Sequence, residues 1–153
     1  MIQLAQYLQF WQQLAESTHI NFVHSVTSPE DIARKIAAIK KDQWPALFVA
    51  VPAAVMTGTS VDDVDCINEC IVFIFDRYDP QRMEHSAFAK LNTLQFPLHA
   101  IIRKLLDEAA VPCSPLHTLD FDSISIMAVT DQYANTAGWS IAFNFRADFD
   151  ALL

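Results

Sequence analysis

Glycine is scarce in this chain, which has only Gly58 and Gly138 among 153 residues. Nucleophile elbows, phosphate-binding loops and dinucleotide-binding turns each need glycines at fixed spacing, because their backbone must turn sharply or approach a ligand closely. Two isolated glycines cannot build any of these motifs. The sequence therefore argues against hydrolases of the GxSxG type, P-loop enzymes and Rossmann-type dinucleotide enzymes.

Long apolar runs and paired cysteine motifs are also missing. No run of 18 or more apolar residues occurs, and the amino terminus lacks the basic start and small-residue cleavage pattern of a signal peptide. The three cysteines, Cys66, Cys70 and Cys113, form no CxxC motif, and an odd number cannot pair completely within one chain. We therefore expect reduced thiols in a protein that stays in the cytosol where it is made.

Basic residues are few, with ten Lys and Arg against eighteen Asp and Glu and a formal charge of −8. Phosphate backbones and anionic membranes attract positive charge, so this balance argues against specific binding to nucleic acid or to a membrane surface. Apolar residues make up 52% of the chain and charged residues 18%, an apolar excess over the usual globular composition. We expect part of that excess to face another protein subunit.

The helical patterns fall in three regions of what we predict to be a single domain, 1–153, since no linker or repeat interrupts the chain. Apolar residues at helical spacing predict a first helix over about 2–16. Ser28 as N-cap and Pro29 at the first position predict a second helix that runs to about Lys40. A third, long helix is predicted from about Ser86, with a kink or brief break at Pro97.

Four strands are predicted from apolar runs and from alternation. A short apolar strand lies between Pro45 and Pro52, and the segment 66–78 is apolar on both faces at 71–75, as in a central strand. The segments 120–132 and 139–147 alternate with a period of two and adjoin through a short polar loop, which favours an antiparallel hairpin. The segments 17–27 and 56–65 are interpreted as a link and a polar turn region.

The resulting order is α-α-β-β-α-β-β. This order predicts an α+β fold with an antiparallel four-stranded sheet and helices packed mainly on one face.

Chemical sites are weakly indicated. Two spacings could suit zinc, that of Cys66 with Cys70 and that of Cys113 with His117. Residues four apart on a strand, however, are too distant to hold one ion. Buried free cysteine is also common in protein cores. None of the five histidines lies in HExxH or HxH spacing, and the paired acids resemble solvated turn residues. The paired acids are Asp62 with Asp63, Asp120 with Asp122, and Asp148 with Asp150. We predict no catalytic residues, no metal site and no cofactor.

Contact surfaces are a better candidate for function. The loop 133–138 carries small and polar residues on a rigid hairpin, where contact surfaces are often found, and the carboxyl terminus ends in apolar side chains. The predicted subunit-interface residues are Tyr133, Asn135, Thr136, Trp139, Phe149 and Leu152. For each of them, packing in the core is the competing interpretation.

The order of these segments and their patterns of apolar and polar residues resemble those of the small tail-terminator and tail-completion proteins of tailed bacteriophages. The resemblance rests on strands such as PALFVAV and INECIVFIFDRYDP, the long helix FAKLNTLQFPLHAIIRKLLDEA, and a closing hairpin whose last strand is GWSIAFNFRADFD. It spans most of the chain from about Trp44. The predicted helix at 29–40 and the cysteines depart from the family's pattern.

This resemblance implies a virion structural protein without enzymatic activity, made in the host cytoplasm and located in the phage tail or neck. It implies a homo-oligomer, a hexameric ring at the end of the tail tube, whose partners are the tail tube protein and the head-tail connector proteins. An acidic ring would suit a channel that conducts DNA without holding it. The sheet edges or the loop 132–138 would then make head-to-tail contacts.

Two other functional classes remain open. One is a small metal-dependent hydrolase that uses Cys113, His117 and acids near Asp120. The other is a ligand-binding regulatory domain of a host bacterium, which a deep apolar pocket between helices and sheet would favour.

Overall fold

A six-stranded mixed sheet forms the centre of the structure, a computed structural model that describes residues 3–60, 63–112, 114 and 116–148. In chain order the elements are α1 Leu4–Ser17, β1 Phe22–Val26, α2 Pro29–Ala38, β2 Ala46–Ala50, β3 Ala53–Ser60, β4 Asp63–Arg77, α3 Ala87–Thr93, α4 Gln95–Ala109, β5 Leu119–Thr130 and β6 Thr136–Asp148. Short 3-10 turns lie at Lys41–Gln43 and Met83–His85.

The sheet has the order β1-β2-β4-β6-β5, and β3 pairs with the amino-terminal part of β4. Strands β1 and β2 are parallel, whereas the other neighbours are antiparallel. Parallel strands need a crossover connection, and α2 provides it. The prediction of an antiparallel four-stranded sheet is therefore wrong, because β1 and β3 add two strands and one parallel pair.

The two missed strands carry weak sequence signals. Strand β1 has only five residues, and it lies in the segment interpreted as a link. Strand β3 has two large apolar residues, Val55 and Met56, among small and polar ones, and its side chains from Ala53 to Thr59 are exposed. A strand without a buried face lacks the alternation on which recognition from sequence depends.

The predicted helices are present, with one shift in the third. Ser28 caps α2, since its Oγ accepts a hydrogen bond from the backbone N–H of Asp31 at 3.1 Å. The predicted interruption of the long helix separates α3 from α4 at Leu94. Pro97 lies in the first turn of α4, where the missing N–H of proline has no helical partner to lose.

Helices cover both faces of the sheet. Helices α1 and α4 pack on one face around a large buried cluster that includes Trp11, Ile101 and Phe143. Helix α2 covers the opposite face around a smaller cluster that includes Phe48 and Phe75. Strand β4 contributes to both clusters, so the predicted central strand is central in the structure. None of the helices in the described ranges is long and apolar enough to cross a membrane.

Gly138 allows β6 to pair closely with β4. It lies opposite Phe75, and a Cβ atom added at this glycine would be 1.8 Å from the carbonyl oxygen of Ile74. Any side chain there would have to displace backbone, so the glycine is required by close approach.

Candidate subunit interface

Two of the predicted contact residues are buried and hold the β5–β6 loop in place. The Tyr133 ring packs edge-on against Phe75, with ring centroids 5.7 Å apart. Thr136 is buried, and its Oγ1 donates a hydrogen bond of 2.8 Å to the Tyr133 carbonyl. For these two residues the structure shows core packing and loop closure, the competing interpretation given above.

Asn135 is the predicted loop residue that faces solvent. Its φ of 52° lies in the left-handed region, which asparagine tolerates better than most residues. Its carbonyl accepts a hydrogen bond of 3.0 Å from the backbone N–H of Tyr78, and the Tyr78 hydroxyl donates to the Asp131 carboxylate. The Asp131 contact raises the pKa of Tyr78. The loop is thus fixed against the carboxyl end of β4.

Trp139 joins the hairpin to the helical layer. Its side chain is half-buried against the larger core cluster, and its indole Nε1 donates a hydrogen bond of 3.0 Å to the Leu91 carbonyl in α3. Phe149 and Leu152, the remaining predicted contact residues, lie outside the described residues.

The outer strand β5 offers a longer exposed surface than the loop. It pairs only with β6 in the described structure, so one of its backbone edges is free. Ile126 is 41% exposed and Met127 61% exposed, and alternation places them on opposite faces. The stretch Ser125–Thr130, called here the β5 edge, contains no charged residue and no proline. Natural edge strands usually carry such residues to prevent pairing with other chains, so the β5 edge is suited to contact another subunit.

An acidic bulge precedes the β5 edge. Pairing with β6 is interrupted between Asp120 and Ser125, and the Asp120 carboxylate accepts a hydrogen bond of 3.1 Å from the backbone N–H of Asp122. Phe121 is 58% exposed between these two acids. We call residues Asp120–Asp122 the acidic bulge.

A cavity of about 640 Å³ lies where the carboxyl end of β4 meets the 3-10 turns and α3. Its lining, called here the basic cavity, is Lys41, Trp44, Asp76, Arg77, Tyr78, Asp79, Arg82, His85 and Lys90. Four of the ten basic residues of an acidic chain therefore surround one cavity that has two acids.

The two acids of the basic cavity are already paired. Lys90 Nζ lies 2.8 Å from Asp76 Oδ2, and Arg82 Nε lies 3.7 Å from Asp79 Oδ2. Arg77 instead donates a hydrogen bond of 3.0 Å to the Ile36 carbonyl and lies 5.4 Å from the centre of the Trp44 ring. In the part of the chain that the structure describes, neither Arg77 nor Lys41 forms an ion pair.

The cysteine and histidine candidates are not brought together. Cys66 and Cys70 are buried free thiols on β4, about 13 Å apart for four residues of extended strand, and burial raises the pKa of Cys70 to about 11. His117 Nδ1 lies 3.3 Å from the Ala109 carbonyl oxygen, and Cys113 is outside the described residues. Within the described ranges, no group of three or more His, Cys, Asp or Glu side chains could hold a metal ion.

An apolar pocket exists but is small. It lies between the start of α1 and the end of β2, has a volume of about 240 Å³, and is lined in part by Leu4, Leu8 and Val51. Pockets for drug-sized ligands usually have about 300–1,000 Å³. The pocket therefore gives little support to a ligand-binding regulatory domain.

The sequence interpretation named sheet edges in general as contact surfaces but not the β5 edge, and it missed the basic cavity. The absence of charge from 125–130 was a readable signal for the edge. The basic cavity was harder to recognise: seven of its nine lining residues lie in 76–90, but Lys41 and Trp44 come from a segment more than thirty positions earlier that only the fold brings near.

Comparison with known proteins adds no family assignment: no family model matches the chain, and no curated protein matches it.

Proposed function

We propose that this protein is a non-enzymatic virion structural protein, a tail-terminator or tail-completion protein that forms a ring at the end of a phage tail tube and joins tail to head. The observation that carries the proposal is the β5 edge. It combines a free backbone edge with exposed apolar side chains on both faces and no charge to keep other chains away. Such an edge favours unwanted pairing with other chains in a monomer, but it provides a contact surface in an assembly.

A ring requires that one surface of the subunit binds a different surface of the next subunit. Contacts of this kind close when the rotation between subunits is a fraction of a full turn. The β5 edge lies at one side of the sheet, so it can meet a different surface on a neighbour. Six copies of a 17.2 kDa chain would make a hexamer of about 103 kDa.

The segments that carry the resemblance to phage tail proteins support the proposal. They form β2, β4, α3 with α4, and the β5–β6 hairpin, which together make up the middle and one side of the molecule. The charge of −8 agrees with a ring around a channel through which DNA passes without binding. The partners in this proposal are the tail tube protein and the connector proteins at the head.

Sedimentation velocity over a hundredfold range of concentration, followed by negative-stain electron microscopy, tests the proposal. We expect a ring-shaped particle of defined mass that binds to the ends of purified tail tubes. A 17.2 kDa monomer at every concentration, with no binding to tail tubes, would contradict it.

A further inference from the structure

We propose that the acidic bulge and the β5 edge of one subunit dock on the basic cavity of a second copy of this chain. The inference rests on the proposed function, because it names the two surfaces that meet in the self-assembled protein. It starts from the concentration of positive charge around one cavity in a chain with net charge −8.

The basic cavity has more positive than negative side chains and can therefore bind further negative charge. Its two carboxylates already pair with Lys90 and Arg82, and among the described residues no carboxylate pairs with Lys41 or Arg77, so these two can bind further anions. Trp44 lines the same cavity, and its indole Nε1 is a buried donor without an acceptor among the described residues. A carboxylate near Lys41 and Arg77 would supply the negative charge that these two side chains lack.

Two exposed apolar residues lie between lining residues of the basic cavity in the sequence. Met83 is 93% exposed and Phe88 is 80% exposed, and both lie between lining residues in the segment 82–90. A basic cavity beside exposed apolar groups fits a partner that presents carboxylates next to apolar side chains. A small inorganic anion would leave Met83 and Phe88 in water, so the observations favour a protein partner.

The β5 surface has this complementary chemistry. Asp120 and Asp122 flank Phe121, and Ile126 and Met127 follow at the free edge. Acids therefore lie beside an apolar side chain in the acidic bulge. The segment 82–90 places Arg82, His85 and Lys90 near Met83 and Phe88, and it also contains the acid Glu84. Complementary charge specifies the partner, and buried apolar area supplies affinity.

The acidic bulge is too far from the basic cavity to reach it within one subunit. Across the sheet, Asp120 on β5 lies opposite Asn144 on β6, and Asn144 lies opposite Glu69 on β4. The basic cavity lies at Arg77, eight residues further along β4, which is about 26 Å from Glu69 in an extended strand. The surfaces are also different, so the contact is head-to-tail and can repeat around a ring.

A charge exchange between Lys41 and Asp122 tests this contact directly. Both side chains are exposed, so K41E and D122K should fold normally, which the thermal unfolding midpoint would check. We expect each single variant to weaken self-association by at least tenfold in sedimentation equilibrium, and the double variant K41E/D122K to return to within about threefold of the unsubstituted protein. The matched control is R103E/D107K, which exchanges the same charges on the exposed side of α4 and should associate normally.

Each other outcome has a defined meaning. If the unsubstituted protein assembles and both single variants assemble like the control, the docking is wrong and the proposed function stands. If the single variants weaken assembly but the double variant does not restore it, the two side chains are not partners and the docking is overturned. The triplet Asp-Phe-Asp recurs at 148–150, so rescue of K41E by D150K in place of D122K would overturn the assignment to β5. A protein that never self-associates overturns both the docking and the proposed function.

Discussion

Strand β4 passes through two different environments, and the contrast separates stability from assembly. Its carboxyl-terminal half is covered by α1 and α4 on one face and by α2 on the other, and Val72, Ile74 and Phe75 are fully buried. Its amino-terminal half pairs with β3, whose described side chains from Ala53 to Thr59 are exposed. The outer strand β5 resembles β3 in this respect, since it also carries exposed apolar side chains such as Ile126 and Met127.

The difference shows where the apolar excess of the sequence is located. Under the helices it forms two cores that a single subunit needs in order to fold. Along the uncovered margin it contributes little to folding, because side chains such as Met127 remain in water. Under the proposed function, a neighbouring subunit covers these apolar groups.

The largest expected effect is on the free energy of unfolding, when a phenylalanine from each of these two regions is replaced by alanine. Phe143 is 1% exposed in the core beneath α1, whereas Phe121 is 58% exposed in the acidic bulge. Phe143→Ala should lower the free energy of unfolding by about 3–5 kcal/mol, since it leaves a cavity and loses buried apolar area. Phe121→Ala should change the stability of the monomer by less than about 0.5 kcal/mol.

Urea denaturation at a concentration where the protein is monomeric measures both values. Equal losses for Phe121→Ala and Phe143→Ala would contradict the division into covered and uncovered regions.

A smaller effect is expected from a charge placed on the β5 edge. Met127→Lys should weaken self-association by at least about tenfold, because a lysine at an edge strand opposes pairing with another chain. Its thermal midpoint as a monomer should stay within a few degrees of the unsubstituted protein. Leu106→Lys is the matched control, since Leu106 is an exposed apolar residue on α4, away from the edge.

Sedimentation velocity distinguishes the two variants. If Leu106→Lys disrupts assembly and Met127→Lys does not, the contact surface lies on the helical layer and not on β5.

The smallest effect concerns pH and the covered region under α2. His24 stacks on Phe48 with ring centroids 5.4 Å apart. Burial lowers its pKa below the ordinary value of 6.5, and nearby Lys35 lowers it further, while Asp31 opposes the shift. Below pH 6.5 the unfolded chain binds this proton more readily than the folded chain, so the free energy of unfolding should fall as the pH decreases from 7 to 5.5.

His24→Leu should flatten this pH dependence, whereas His85→Leu, at an exposed position, should keep it. Chemical denaturation at pH 7, 6.5, 6 and 5.5 measures the slopes. The same slope in His24→Leu as in the unsubstituted protein would show that His24 is not its source.

The covered region was the part that sequence patterns could predict. Helices α1 and α2 and strands β2, β4 and β6 each carry the period or the apolar run that burial imposes, and Ser28 and Pro29 mark the start of α2. The β5–β6 hairpin was predicted correctly for the same reason, since Ile124 and Val129 still pack on the two cores.

The uncovered region could not be predicted in the same way. Strand β3 has no buried face to impose alternation, and β1 depends on a parallel neighbour twenty-four positions later in the sequence. In the loop, local sequence predicted exposure for Tyr133 and Thr136, but the distant contact with Phe75 buries Tyr133, and the turn buries Thr136. Long-range contacts therefore account for β1 and for the burial of Tyr133, which local sequence patterns do not indicate.

Hydrogen exchange at two protein concentrations tests most directly the claim that the uncovered margin is a contact surface. When the concentration rises through the association range, the backbone amides of the β5 edge, residues 125–130, should exchange at least tenfold more slowly, while those of α1 and α2 stay unchanged. Exchange along 125–130 that is equally fast at both concentrations, in a sample shown to be assembled, would contradict the account.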